Sequence, residues 1–362
     1  MNSRPLSLAL LVAALGLAGA GCRHFGPGSI VADRLPYNEA IARSWKEQAL
    51  LNIVKMRYVD APFFVDVPQI TSGYTVQGTA TANAGIFPPV SPLAVFSQQL
   101  AAGLNLQGGY QDRPTISYTP QTGAQFIRNL TNPINPGSVL FLIQSGYPAD
   151  VVFDLMVDSI NGVRNRSVSG GQLRAADPEF IQITRSIRKA QLAGHVGIRV
   201  QTDKDKRDAV AFFFHDKDAD PELARELAEV RKILKVDPKQ SDFRVTFGAT
   251  ASSTQEIAIL SRSVLRVLQE LSTGVDVPAE HLARGIAPPL DEVGGGPPLF
   301  RVCSGPKRPC DPFVAVCYEG RWFWVEKDDL VTKRTLGTML ILLALADSGA
   351  KEALPVITIQ AN

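Results

Sequence analysis

The sequence predicts an α+β fold with antiparallel sheets, packed helices and two domains. Three observations carry that reading. Runs of period-two alternation adjoin one another as hairpins. Between them lie stretches of near-helical apolar spacing, without the regular strand-helix-strand rhythm of a doubly wound sheet. Setting aside an export signal still leaves enough chain for two hydrophobic cores.

Residues 1–21 are predicted to be that signal. Arg4 is the only charge, and Leu6 to Ala20 is apolar or small. The run is short for a bilayer span of about 20 residues. Residues 22–33 read as a tether, since His24-Phe25-Gly26-Pro27-Gly28-Ser29 does not favour regular structure. The N-terminal α+β domain is expected over 34–165. It opens with a helix from Tyr37 to Tyr58, whose apolar Ile41, Trp45, Leu51, Ile53, Val54 and Met56 recur at helical spacing. An extended Phe63–Val67 follows, then two alternating runs joined near Pro88-Pro89, a strand at 113–118, and helices at 123–130 and 149–163.

A Ser/Gly-rich stretch at 166–178 is the expected linker. The C-terminal α+β domain, 179–362, should carry hairpin strands at 195–200 and 208–214 and a helix at 221–234 capped by Asp220. After a strand at 243–247, a capping box at Ser253-Thr254-Gln255-Glu256 predicts a helix that runs to Gly274. A Pro/Gly linker at 285–298 precedes strands 313–318 and 321–326 around Glu319-Gly320, a helix at 334–346 and a last strand at 356–359.

Composition excludes several classes. The chain has 362 residues, 45% hydrophobic and 20% charged, which suits a packed globular body. Net charge is +2, without the basic excess of a nucleic-acid binder. No segment beyond the signal reaches the length of a spanning helix.

Residues 67–111 stand apart, because none of the 45 is Asp, Glu, Lys or Arg, where the chain's 20% would give about nine. Within them an uncharged β-hairpin alternates, and Tyr74, Val76, Leu104, Leu106 and Tyr110 are its candidate interaction face. We read it as an arm packed on the domain core or a strand pair for subunit contact. Small Ala, Gly and Thr outnumber large apolar residues and make a poor lipid surface. The alternative is a transmembrane hairpin, which needs copies pooled into a closed barrel.

Four cysteines are present. Cys303 and Cys310 bracket a short loop and are expected to form a disulfide, with Cys317 a buried free thiol in a strand. No zinc spacing, nucleophile elbow, phosphate loop or dinucleotide fingerprint occurs. His215-Asp216-Lys217-Asp218 begins like a calcium loop, but Pro221 stands where the turn needs Gly. Ser186-Ile187-Arg188-Lys189 matches a Ser-x-x-Lys motif without its companion motifs. Asp328-Asp329 ahead of Lys333-Arg334 reads as helix-terminal charge. Trp322 and Trp324 share one face of a strand and are expected in the core, the alternative being one exposed Trp that anchors a partner or a sugar. No metal site, cofactor or catalytic residue is expected. Glycan or cell-wall hydrolysis stays open only because it needs two carboxylates that sequence cannot locate.

Leu17-Ala18-Gly19-Ala20-Gly21-Cys22 resembles the lipobox of bacterial lipoproteins, with Gly19 where that family usually has Leu. The resemblance implies cleavage before Cys22 and acylation of its thiol, which tethers the chain without a spanning helix. Arg23, in place of Asp, implies sorting to the outer membrane. Tyr37-Asn38-Glu39-Ala40-Ile41-Ala42-Arg43-Ser44 with Leu50-Leu51-Asn52-Ile53-Val54, and Arg321-Trp322-Phe323-Trp324-Val325 with Asp329 to Thr335, resemble a family of predicted Gram-negative-type lipoproteins without assigned activity.

The expectation is therefore a lipid-anchored outer-membrane protein, facing the periplasm or the surface. Its role would be binding or assembly with envelope proteins or its own copies, with no nucleic-acid partner. An oligomeric pore or secretion component built on hairpin 67–111 is the alternative.

Overall fold

The computed structural model describes residues 27–71, 74–86, 100–112, 115–169, 171–202, 208–214, 219–293 and 298–347. Among them the fold is α+β, with nine helices and several antiparallel and mixed sheets. The signal 1–21, Cys22 and the strand expected at 356–359 lie outside the described residues.

Helix α1 runs Pro27–Arg57, so most of the expected tether is helical. Pro27 suits a first helical position, where its fixed φ is an advantage and its missing N–H is no loss. The chain then enters β1 (Phe64–Thr71), β2 (Tyr74–Ile86), β3 (Leu100–Asp112) and β4 (Thr115–Gln121). Residues 64–121 form one compact unit, and the rest of the chain forms the other.

The body continues with α2 (Gly123–Thr131) and α3 (Pro136–Gln144), where Asn135 accepts from the Gly137 N–H at 2.8 Å and Pro136 sits at the first turn. Helix α4 (Ala149–Met156) stops seven residues short of the expected end, and β5 (Val157–Ile160) and β6 (Val163–Arg164) take its place. The reason is the turn Asn161-Gly162, with φ of 47° and 84° at its two residues. That pair of left-handed residues favours a two-residue hairpin. The Asn161 side chain also donates to Leu234 O and accepts from Ala258 N–H, each at 2.7 Å.

The expected linker 166–178 holds β7 (Ser167–Ser169) and β8 (Gln172–Arg174). Next come α5 (Pro178–Leu192), β9 (Val196–Thr202), β10 (Asp208–Phe214), α6 (Pro221–Leu234) and β11 (Asp242–Phe247). The predicted capping box proved wrong. Glu256 opens a strand, β12 (Glu256–Ser261), and α7 (Val264–Ser272) starts later, with Ser263 accepting from the Arg266 N–H at 3.2 Å. Ile257, Ala258 and Ile259 are all buried, as suits a central strand. Gly274 does end the helical region: a Cβ there would lie 1.6 Å from Phe300 O.

Beyond it are α8 (Ala279–Ala283), β13 (Asp291–Val293), β14 (Cys303–Gly305), β15 (Val314–Tyr318), β16 (Arg321–Val325) and α9 (Leu330–Asp347). The expected 285–298 linker thus contributes a strand, β13, which pairs with β8.

The main sheet has the order β6-β5-β12-β11-β10-β9 and is antiparallel except between β11 and β12. It joins residues from both sides of 166–178, so no domain boundary falls there. Its core holds Phe212, Phe214 and Phe243, with ring centroids at 4.9 and 5.8 Å, and the sheet packs beside α3, α4 and α5. A second apolar cluster joins α1, α7, α9 and the sheet β14-β16-β15, through residues such as Leu50, Ile53, Leu268, Phe323 and Met339.

Candidate interaction ribbon and the polar clusters of the body

In the unit 64–121 every residue from Tyr74 to Ile86 is paired antiparallel with one from Asp112 to Leu100. β1 and β4 keep the same register from Thr71↔Thr115 back to Gln69↔Ser117, where a bulge intervenes before Asp66↔Thr119. Pro68 lies in the bulge, where its missing N–H leaves no gap in a ladder. Each of these two sheets has two strands among the described residues, and β2 and β3 have no third strand beside them there.

Directly opposed residues of an antiparallel pair share a face, and successive residues alternate. The register therefore sorts the hairpin into two faces. One carries Val76↔Tyr110, Ala80↔Leu106 and Ala82↔Leu104; the other carries Thr75↔Gln111, Thr79↔Gln107 and Thr81↔Asn105. The predicted Val76, Leu104, Leu106 and Tyr110 share the first face, with Tyr74 opposite Asp112 at its end. Small residues of β2 stand opposite large ones of β3, so the first face is more evenly apolar than either strand alone.

In the body, the expected Cys303–Cys310 bridge is absent, and Cys303, Cys310 and Cys317 are free thiols. Cys303 is held in β14 opposite Trp324, whereas Cys310 lies exposed in the loop beyond. Burial pushes the Cys303 thiol above its ordinary pKa, which disfavours the thiolate. Cys317 is exposed, contrary to expectation. Residues 273–276, Pro298 and 301–303 line a shallow depression of about 340 Å³, with Asp276 and Arg301 as its charges. The tryptophan expectation is also inverted. Phe323 is the core residue, while Trp322 and Trp324 lie half-exposed, with Arg308 over the Trp322 ring at 5.3 Å.

Two polar clusters escaped the sequence reading. Arg262, with no side-chain exposure, donates from Nε to Asp158 at 2.8 Å and from Nη1 to the carbonyls of Asp154 (2.8 Å) and Leu155 (3.1 Å). Those carbonyls end α4, where a cation is favoured. Its Nη2 reaches Arg166 O. Glu270, also buried, accepts from the Val168 N–H at 2.7 Å and has the guanidinium groups of Arg166, Arg262 and Arg266 within 4.0 Å. Burial and the nearby Asp150 push the Asp154 carboxyl up to about 6.

The second cluster joins α1 to α8 and β15. The Tyr58 hydroxyl lies 2.7 Å from His281 Nδ1, and both residues are buried. Tyr318 donates to Asp60 at 3.1 Å, and Lys55 lies 3.2 Å from the same carboxylate. Burial raises both tyrosines to about 12. Arg321 clamps Glu280, whose hydrogen bond from that guanidinium holds its carboxyl below the ordinary value. This is a satisfied core histidine with no access for a substrate.

Other motifs resolve into structure. Ser186 and Lys189 both bond Glu226 across to α6. Asp329 accepts from the N–H and hydroxyl of Thr332 at 3.0 and 2.6 Å. Burial alone would raise its pKa, and these bonds bring it below the ordinary value. The calcium-like residues 215–218 lie outside the described residues. No group of three metal-ligating side chains is present among the described residues. No helix among them is long and apolar enough to cross a membrane. No protein-family model, curated protein or solved structure matches this chain.

Proposed function

We propose that the protein is a lipid-anchored component of the cell envelope that binds and assembles, with ribbon 64–121 as its interaction element. The observation that carries this reading is the ribbon itself: a compact unit whose β2–β3 hairpin has no third strand among the described residues. An isolated two-stranded hairpin is marginal in water, and open edges invite another strand. The lipobox-like residues before Cys22 and the resemblance to predicted lipoproteins support the outer membrane as its place. The partners are envelope proteins or further copies of this chain, and the near-neutral charge argues against nucleic acid.

The test is mass spectrometry and in-membrane cross-linking of protein from its native cells. Diacylated Cys22 at a new N-terminus, with discrete cross-linked species joined through residues 64–121, is expected. A free Cys22 thiol behind an intact leader would end the lipoprotein reading. A fully acylated chain that never cross-links would end the assembly reading.

A further inference from the structure

Resting on that assembly reading, we propose that the β2–β3 hairpin enters the lipid bilayer and that several copies pool their hairpins into one closed barrel. The register places apolar residues and glycine on one face from Val76↔Tyr110 to Ile86↔Leu100. The other face carries only Thr, Gln, Asn, Gly and Ala from Thr75↔Gln111 to Gly85↔Ala101. That two-sided pattern is what a membrane barrel strand requires, apolar outward and polar inward.

Length agrees. Thirteen residues at about 3.3 Å each give a strand of about 40 Å. Tilted by about 40°, it reaches about 30 Å vertically, the thickness of the hydrocarbon core. Charge agrees as well: the first charged residues after the uncharged span are Asp112 and Arg113, beside the tyrosine positions 74 and 110. Tyrosine at the water boundary with charge beyond it is the order found at a membrane interface. The whole stretch 67–111 carries no charged group that would have to be dragged across lipid.

Closure follows from the edges. In lipid, an unpaired N–H or C=O costs several kcal/mol, so a lone hairpin cannot stay there. The described residues supply no third strand for β2 or β3. Copies of the same hairpin supply it at both edges. A filled barrel needs about eight strands, hence at least about four copies, and a water-filled lumen needs about twice that. An inner wall of uncharged amides and hydroxyls would discriminate weakly between anions and cations.

The experiment compares Ala82→Arg with Thr81→Arg, adjacent residues on opposite faces. The full chain, purified from membranes, is reconstituted in vesicles of phosphatidylethanolamine and phosphatidylglycerol. Three readouts are taken: protection of peptide 74–112 from proteinase K, conductance in a planar bilayer, and subunit number by cross-linking. Wild type should be protected, conducting and oligomeric. Thr81→Arg should keep all three and shift selectivity toward anions. Ala82→Arg should lose protection and conductance at least tenfold, and Leu106→Arg should match it, while the body keeps its thermal midpoint.

Equal behaviour of Ala82→Arg and Thr81→Arg overturns the proposal. So does a wild-type hairpin that is digested in vesicles. If that digested protein still cross-links into defined oligomers, only the barrel falls. If it is monomeric there and also cross-links to nothing in its native membranes, the assembly reading falls with it.

Discussion

The two units of this chain keep their polar groups satisfied in opposite ways. In the body, charge is abundant and much of it is paired internally: Arg262 alone bonds one carboxylate and three backbone carbonyls. In the hairpin 74–112 charge is absent until Asp112, and among the described residues the ladder pairs only the inner edges of its strands. A buried ionic cluster fixes one arrangement, because leaving any member unpaired is costly. An amphipathic ribbon with open edges is completed by whatever joins it. On the proposed reading, the body is built for itself and the ribbon for something outside it.

The contrast breaks most sharply at Arg262. Arg262→Ala should destabilise the body by about 3–5 kcal/mol in urea unfolding, since it takes the buried donor from Asp158 and from the carbonyls ending α4 and one guanidinium from beside buried Glu270. A loss below about 1 kcal/mol would mean that the cluster is not holding the fold.

A smaller effect of opposite sign is expected at Asp154. Its carboxyl titrates near 6 in the fold, above its ordinary 3.8. Between those values the native state holds a proton that the unfolded chain has released, so this group's contribution to stability falls as pH rises from 4 to 7. Asp154→Asn should therefore stabilise at pH 7 by about 1–2 kcal/mol, after allowance for solvent screening, with the gain gone by pH 4. Thermal melts at the two pH values check it.

The smallest effect sharpens the comparison from the other side. Replacing residues 74–112 by Asn-Gly should leave the body's thermal midpoint within about 2 °C, because 64–121 is a unit of its own. A drop of 10 °C would show that the body depends on the hairpin.

Much of this division was legible in the residues, and its errors have physical causes. Alternation and the missing charges marked both hairpin strands, their pairing and one shared face, although the residue-by-residue register needed the structure. Glu319-Gly320 was read as a turn, and the structure has both residues at positive φ, 46° and 73°. Asn161-Gly162 carries the same kind of signal inside a stretch whose apolar spacing from Ala149 onward predicts a helix. Ser253 to Glu256 match a capping box, yet Ile257 to Ile259 prefer a central strand, and tertiary pairing with β5 and β11 decides. α3 escaped notice because Val139, Leu140, Leu142 and Ile143 are buried nearly all round, leaving little periodicity. Arg262, Asp158 and Glu270 are far apart in the chain, and no local pattern announces that they meet.

The open edges have a consequence before any partner arrives. Natural sheets guard exposed strands with lysine, proline or a bulge. Pro68 and its bulge give such a guard beside β1, but nothing comparable stands within Tyr74–Ile86 or Leu100–Asp112 except Asp112 at one tip. On the proposed envelope reading, a newly exported copy would carry uncharged strand edges through a crowded compartment, with cross-β aggregation as the competing fate. Supply and capture would then have to be matched in time, by an escort or by rapid recruitment at the membrane.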